Sequence, residues 1–222
     1  MILPQSHTLT TRHLNRVFDN TVATYKYYWF LGILDACVKQ DKSRINVWDI
    51  MISMVANAWY PVNYFRLSFG KSESLYDAII TLQREYNIPI NISINELTEL
   101  LQVLIQRREV RRLLNFLQMN VPFRFLRPWI DTSDDRQTVL RSQTFENGCL
   151  YKLEKIDRIW WIELNPAWLP YLRENYDILT SFAYWGLTNF LQVRNPNVPN
   201  IPNKLIKREE RSSLLEQRKF WN

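Results

Sequence analysis

The sequence predicts a mainly α-helical fold with a small antiparallel β-hairpin insertion and a C-terminal strap rich in proline and asparagine. Apolar residues recur at helical spacing over most of the first 120 residues. Two runs of β type, 149–154 and 159–164, flank a short turn, which is typical of a hairpin. Pro196, Pro199 and Pro202 alternate with asparagines. Because proline fixes φ and lacks a backbone donor, this segment cannot continue a helix.

The first half of the chain predicts helices with recognisable starts and stops. They cover residues 11–17, 22–38, 47–58, 75–86 and 96–118. The second of them is apolar around most of its circumference and should be the central helix. We expect Pro61 to end the third helix, and Asn95 to cap a single long helix with one leucine-rich side. Residues 90–94 alternate in β fashion but are interpreted as a linker.

The second half changes character at Val121. Pro122, Pro128 and the polar run 131–137 interrupt the periodicity and indicate a loop. After the hairpin, helices are predicted at 167–174 and 176–193. The predicted organisation is a helical module of residues 1–193, with the hairpin near 149–164, followed by residues 194–222. This last part is an extended strap and a basic segment that we expect to lead to a further C-terminal domain.

The positive charge of the chain is concentrated in two segments. Residues 95–127 hold six arginines against three glutamates, and residues 204–222 hold six lysines or arginines against three glutamates. These two excesses account for the whole formal net charge of +6. Such local basic surfaces favour contact with a polyanion, although solubility alone also explains them.

No catalytic or metal-ligating pattern occurs in the sequence. His7 and His13 are the only histidines, and the four glycines are scattered singly, which excludes a glycine-rich phosphate loop. Asp131, Asp134 and Asp135 would have to converge with a glutamate to bind a metal, and a solvated loop is the preferred interpretation. We therefore predict no catalytic residue, no metal site and no cofactor in this chain.

The strongest binding signal is an arginine cluster. Its members stand at i, i+1, i+4 and i+5, so that two neighbouring rows of guanidinium groups would run along one side of a helix: Arg107, Arg108, Arg111 and Arg112. Such rows can contact several phosphates, while a solvated helix face is an equally good interpretation. Three basic residues that directly follow the strap, Lys204, Lys207 and Arg208, are further candidates, although a plain linker also fits them.

Several short motifs carry a family resemblance. They are Phe18-Asp19-Asn20-Thr21, Tyr25–Phe30, Ala58–Val62, Leu67–Gly70, Phe145–Asn147, Arg194–Pro199, Asn203–Ile206 and Gln217–Trp221. Together they cover most of the chain, which resembles the N-terminal region of bacterial HNH-endonuclease-domain proteins. The resemblance implies a nuclease unit after this region, with an Asp-His pair, a later Asn and a divalent metal. The chain has no histidine after His13, so none of those catalytic positions maps onto it.

The expected function is a non-catalytic, DNA-engaging or regulatory N-terminal module of an HNH-type endonuclease. Its expected partners are DNA and the C-terminal HNH nuclease domain of the same gene product. This chain alone should be inactive, because phosphodiester cleavage of this type needs a histidine base and a metal. The alternative is a protein-interaction module that docks through an aromatic surface and contacts no nucleic acid.

The remaining features predict a cytoplasmic protein without membrane contact. No apolar run approaches the ~20 residues that span a bilayer. No secretory signal is recognisable at the N-terminus. Cys37 and Cys149 are interpreted as buried thiols.

Overall fold

The computed structural model describes residues 3–6, 9–19, 21–71 and 73–206. The helices are α1 (Arg12–Asn15), α2 (Tyr25–Leu34), α3 (Val47–Asn63), α4 (Ser74–Glu85), α5 (Ile94–Leu104), α6 (Arg108–Phe125), α7 (Asp135–Ser142), α8 (Trp168–Glu174), α9 (Tyr176–Arg194) and α10 (Pro202–Leu205). The strands are β1 (Arg44–Asn46), β2 (Tyr151–Ile156) and β3 (Ile159–Leu164). The predicted mainly helical fold with a β-hairpin is confirmed.

Helix α2 lies at the centre of the core, as predicted. Nine of its ten residues are buried, and it packs against α3, α6 and α9. Two glycines permit the close approach of its neighbours. A Cβ on Gly32 would lie 2.8 Å from Ile50 Cγ2, and one on Gly186 would lie 2.7 Å from Tyr27 Cε1. These crossings fix α3 and α9 on α2, because packed cores tolerate little added volume.

The predicted end of the helix 22–38 is confirmed to within one residue, because α2 continues as a π-helix, Asp35–Lys39. The predicted end of the third helix is wrong by more than a turn, because α3 runs to Asn63 with Pro61 inside its last turn. Pro61 is tolerated there because the missing N–H removes only one hydrogen bond near the helix end. The predicted loop at 131–137 in fact leads into α7, which Asp134 caps by accepting a hydrogen bond from the Arg136 backbone N–H at 2.8 Å.

The predicted single helix 96–118 is two helices. Ser93 and Glu96 form a capping box at the start of α5, and the chain turns at 105–107 before α6 begins. The buried residues of the two helices explain the break: Leu97, Leu101 and Leu104 in α5, and Val110, Leu114 and Leu117 in α6. In one continuous helix, at about 100° per residue, these two sets would lie about 140° apart. The turn brings both sets onto the core.

The sheet has three strands in the order β1-β3-β2, all antiparallel. Strands β2 and β3 form the predicted hairpin, in which Leu153 lies opposite Ile162. The sequence did not predict β1, which has only three residues and pairs with β3 through Ile45 opposite Ile162. Trp160 and Trp161, at successive positions of β3, are both half-buried.

The segment after α9 folds back onto the helical body. Asn195 accepts a hydrogen bond from the Ser68 backbone N–H at 2.8 Å and donates to the Ser68 carbonyl oxygen at 2.9 Å. Ile201 and Leu205 are buried, and α10 packs against α3 and α9. Residues 195–201 have no regular secondary structure, as expected for the strap, whereas the short helix α10 was not predicted.

None of the helices within the described ranges is both long and apolar enough to cross a membrane.

Candidate nucleic-acid interface

An open, basic groove lies between the first half of α6 and the turn of the β2-β3 hairpin. Its volume is about 480 Å³. The lining residues are Trp48, Arg108, Arg111, Arg112, Asn115, Gln118, Asp157, Arg158 and Ile159. Four of them are arginines and one is an aspartate, so the groove carries a local charge of +3. Three of the predicted arginines are therefore brought together, and the hairpin adds a fourth.

Arg111 is held in place by its neighbours. Its Nε donates to the Ile105 carbonyl oxygen at 2.8 Å, and a terminal nitrogen donates to Gln106 Oε1 at 3.1 Å. Its guanidinium carbon lies 5.8 Å from the centroid of the Trp48 ring. Because these contacts already order the side chain, Arg111 would lose little entropy on binding an anion.

Arg108, Arg112 and Arg158 are the other three cations of the groove. All three are exposed, and among the described residues no carboxylate forms an ion pair with any of them. Four other arginines in the described part of the chain do form an ion pair with a carboxylate, as Arg44 does with Glu154 at 2.6 Å. An anion entering the groove would therefore meet guanidinium groups with unused donors.

The start of α6 adds to the positive potential. Arg107 is its N-cap, and no side chain accepts a hydrogen bond at this cap. The first backbone N–H groups of a helix have no intrahelical partner, and they carry the positive end of the helix dipole. Glu109 in the first turn offsets part of this effect.

Two amide side chains line the groove beside the arginines. Gln118 Nε2 donates to Asn115 Oδ1 at 2.7 Å. Gln118 is 8% exposed, and its Oε1 has no hydrogen-bond partner within the described structure. A buried acceptor without a partner costs free energy, but the burial of Gln118 Oε1 also keeps it from a ligand unless the side chain moves. The exposed Asn115 side chain is the amide that a ligand can reach directly.

The other predicted binding residues lie elsewhere. The guanidinium carbon of Arg107 lies 5.3 Å from the centroid of the Tyr86 ring, and Arg107 does not line the groove. Lys204 Nζ donates to the Pro199 carbonyl oxygen and lies 5.5 Å from the centroid of the Phe65 ring, so it supports the strap. Lys207 and Arg208 lie outside the described residues.

Arg158 is the groove residue that the sequence analysis missed. It stands in the turn of the hairpin with Asp157, and the turn was read only as a connection between two strands. The available signal was the absence of glycine and asparagine from the predicted connection 155–158 between the two strands. A turn residue that departs from this preference is a candidate binding residue, because strained positions cluster at functional sites.

Asp134, one of the three aspartates considered for a metal site, has a structural partner, and so have two glutamates, Glu146 and Glu163. Asp134 caps α7, Glu146 pairs with Arg141, and Lys152 Nζ lies 3.1 Å from Glu163 Oε1. Within the described ranges, no group of three or more metal-ligating side chains is close enough to hold an ion. His13 Nδ1 lies 2.5 Å from the Pro128 carbonyl oxygen, which can only accept, so this nitrogen is the donor.

A polar cleft of about 500 Å³ lies between the π-helix, α3 and α5. Asp35 Oδ1 lies 2.8 Å from Lys39 Nζ and accepts a hydrogen bond from the Tyr176 hydroxyl at 2.7 Å. Partial burial lowers the pKa of Lys39, but hydrogen bonds with Asp35 and Tyr176 outweigh it and raise the pKa overall. These three groups satisfy one another and tie the π-helix to α9.

Among the residues that the structure describes, the largest exposed aromatic side chain is that of Trp185 on α9. It is 52% exposed and lines a shallow groove of about 390 Å³ with Phe18, Tyr27, Phe182 and Phe190. The rings beneath it pack on one another, with centroids 4.4 Å apart for Phe18 and Tyr27. This surface corresponds to the alternative prediction of an aromatic docking face.

Comparison with known proteins gives no match to a family model and no significant match to a curated protein or a solved structure. The resemblance to the HNH-associated region therefore remains a prediction from the sequence motifs.

Proposed function

We propose that this chain binds DNA through the groove between α6 and the hairpin turn, and that it does so as a non-catalytic module. The observation that carries the proposal is the convergence of Arg108, Arg112 and Arg158, without carboxylate partners among the described residues, around the ordered Arg111. Arginine recognises phosphate oxygens through a fork of donors, and phosphate contacts supply most of the affinity in non-specific DNA binding.

The wider part of the proposal concerns the context of the module. The sequence motifs suggest that it serves an HNH-type endonuclease, whose divalent metal and catalytic histidine would reside in a separate nuclease unit. The present chain would contribute DNA engagement or regulation, because His13, the one histidine in the described residues, is already bonded to the backbone at Pro128. Fusing the gene for this chain to one that encodes such a nuclease unit would test whether the chain serves an HNH-type endonuclease.

The DNA proposal is tested by fluorescence anisotropy with a labelled duplex that carries a single-stranded overhang. We expect binding that weakens steeply between low and moderate salt, because each neutralised phosphate releases counterions. The double variant Arg108→Gln/Arg112→Gln should bind at least tenfold more weakly, since each lost charged hydrogen bond contributes about 1.5–3 kcal/mol.

The control is Arg136→Gln, which removes one positive charge, against two in the double variant, from an exposed arginine on α7 that does not line the groove. It should bind within about twofold of the unmodified chain, as expected for a distant surface charge. Equal affinity of the unmodified chain and the double variant, or the absence of binding, would contradict the proposal.

A second candidate, protein interaction without nucleic-acid contact, is favoured by the exposure of Trp185 above its aromatic groove. Under this candidate, sedimentation velocity would show self-association that is insensitive to salt and absent in Trp185→Gln. The anisotropy experiment would then show no DNA binding.

A further inference from the structure

The turn of the β2-β3 hairpin has a residue at its second central position that is unfavourable for the backbone conformation there. Asp157 and Arg158 have φ values of 49° and 67°, and the flanking Ile156 and Ile159 pair directly. Two positive φ values in a two-residue turn define a type I′ turn, which prefers Asn-Gly or Asp-Gly. Asp157 is tolerated at the first position, but arginine at the second occupies the glycine site and holds a left-handed conformation at a cost.

The position of the Arg158 side chain explains why the fold keeps an unfavourable residue in this turn. It lines the groove from the hairpin side, while Arg108 and Arg112 line it from α6. Strained positions that persist in a fold are concentrated at binding sites, where the side chain is needed at that place. A glycine would relieve the turn but would leave the groove basic on one wall only.

The size of the groove limits what can enter it. Pockets of ~300–1,000 Å³ accommodate drug-sized ligands, and the groove volume of about 480 Å³ falls within this range. A nucleotide unit is of this size, whereas a duplex is a broad convex cylinder that could contact only the rim. Trp48 is 7% exposed and lies beside Arg111, so it offers little ring face for base stacking, and phosphate contacts must dominate.

We propose that the hairpin turn and α6 form the two walls of a clamp for one nucleic-acid strand, with Arg158 contacting a backbone phosphate opposite Arg108 and Arg112. This inference rests on the proposed DNA-binding function and names the form of the ligand. The exposed Asn115 amide lies in the same groove, where it meets the sugar or base edge of the bound strand.

The test compares a single-stranded oligonucleotide with a blunt duplex of the same sequence, using the full chain. We expect the single strand to bind roughly tenfold more tightly, because only it places phosphates between both walls. Arg158→Gly should lose about tenfold of the single-strand affinity, since a hydrogen bond to a charged group is removed. Its melting temperature should rise by roughly 2 °C as the turn strain is relieved.

Two further variants separate the charge of Arg158 from its backbone conformation. Arg158→Asn also removes the charge but tolerates the left-handed conformation, so it should lose the same affinity. Arg158→Lys keeps the charge and the strained conformation, so it should bind within about threefold of the unmodified chain while gaining no thermal stability.

The outcomes distinguish this inference from the function on which it rests. Salt-dependent binding that is equal for duplex and single strand and unchanged in Arg158→Gly would overturn the clamp but leave DNA binding in place. Absence of binding to either form would remove both. Displacement of the strand by a mononucleotide at comparable concentration would assign the groove to a free nucleotide and would also overturn the clamp.

Discussion

Two buried tyrosines show that a buried hydroxyl stabilises the fold only where it has a hydrogen-bond partner. Tyr151 donates to the Pro122 carbonyl oxygen at 2.6 Å and accepts from Trp29 Nε1 at 3.2 Å. Tyr28 is equally buried, but its hydroxyl has no partner within the described structure. Burial raises the pKa of both side chains well above the usual value, so both stay neutral. Both hydroxyls lose their hydrogen bonds to water on folding, and only that of Tyr151 forms hydrogen bonds within the described structure instead.

We expect Tyr151→Phe and Tyr28→Phe to have opposite effects on the free energy of unfolding. Tyr151→Phe leaves a buried carbonyl and a buried indole N–H unpaired, which should cost about 1–3 kcal/mol. Tyr28→Phe removes an unsatisfied hydroxyl and should be neutral or stabilising by up to about 1 kcal/mol. Urea denaturation followed by circular dichroism measures both. A loss of stability in Tyr28→Phe as large as that in Tyr151→Phe would show that Tyr28 has a partner after all.

The sequence indicated the arginine cluster but not the different contacts that its members make. Arg111 caps the carbonyl of Ile105, and Arg107 lies against the ring of Tyr86. Both contacts depend on the turn at 105–107, which brings residues of α5 and α4 close to the start of α6. Spacing along one assumed helix could not reveal them, because the helix is interrupted inside the cluster.

At the scale of elements, long periodic segments were predictable and their interruptions were not. The central position of α2 and the hairpin followed from apolar pattern. The sequence does contain an indication of the break between α5 and α6, because the two apolar sets would lie on different sides of one continuous helix. Strand β1 left no usable signal, because three residues carry no period and its pairing with β3 is long-range.

The segment after α9 is the element whose role changed most between sequence and structure. The sequence suggested an extended strap that leads to a further domain, and in the structure Ile201 and Leu205 of this segment are buried against the helical body. Asn195 explains the return of the chain, since its side chain bonds both backbone groups of Ser68. Proline and asparagine here favour a specific docked path rather than a free linker.

We expect Leu205→Ala to lower the free energy of unfolding by about 2–4 kcal/mol, because a buried leucine is truncated. The matched control is the neighbouring Ile206, which is 47% exposed, so Ile206→Ala should change stability by less than about 0.5 kcal/mol. Chemical denaturation of both variants makes the comparison. If both had the same small effect, the segment would not be part of the folded core.

At the scale of the whole molecule, the net charge of +6 explains attraction to any polyanion but does not select a site. The fold concentrates part of that charge by setting α6 opposite the hairpin turn, which lies more than 30 residues after the end of α6 in the sequence. No composition argument predicts this juxtaposition, because it depends on how β1 and α3 join the sheet to the helices. The central claim is therefore that the groove, and not the overall charge, carries DNA binding.

The salt dependence of DNA affinity tests that claim most directly. The slope of log Kobs against log salt concentration is measured for the unmodified chain, for Arg108→Gln/Arg112→Gln and for Arg136→Gln. Each lost phosphate contact reduces the slope by about 0.7–0.9, so the double variant should lose about 1.4–1.8 and the control nothing. Equal reductions per charge in both variants, or slopes that do not change at all, would contradict a localised groove.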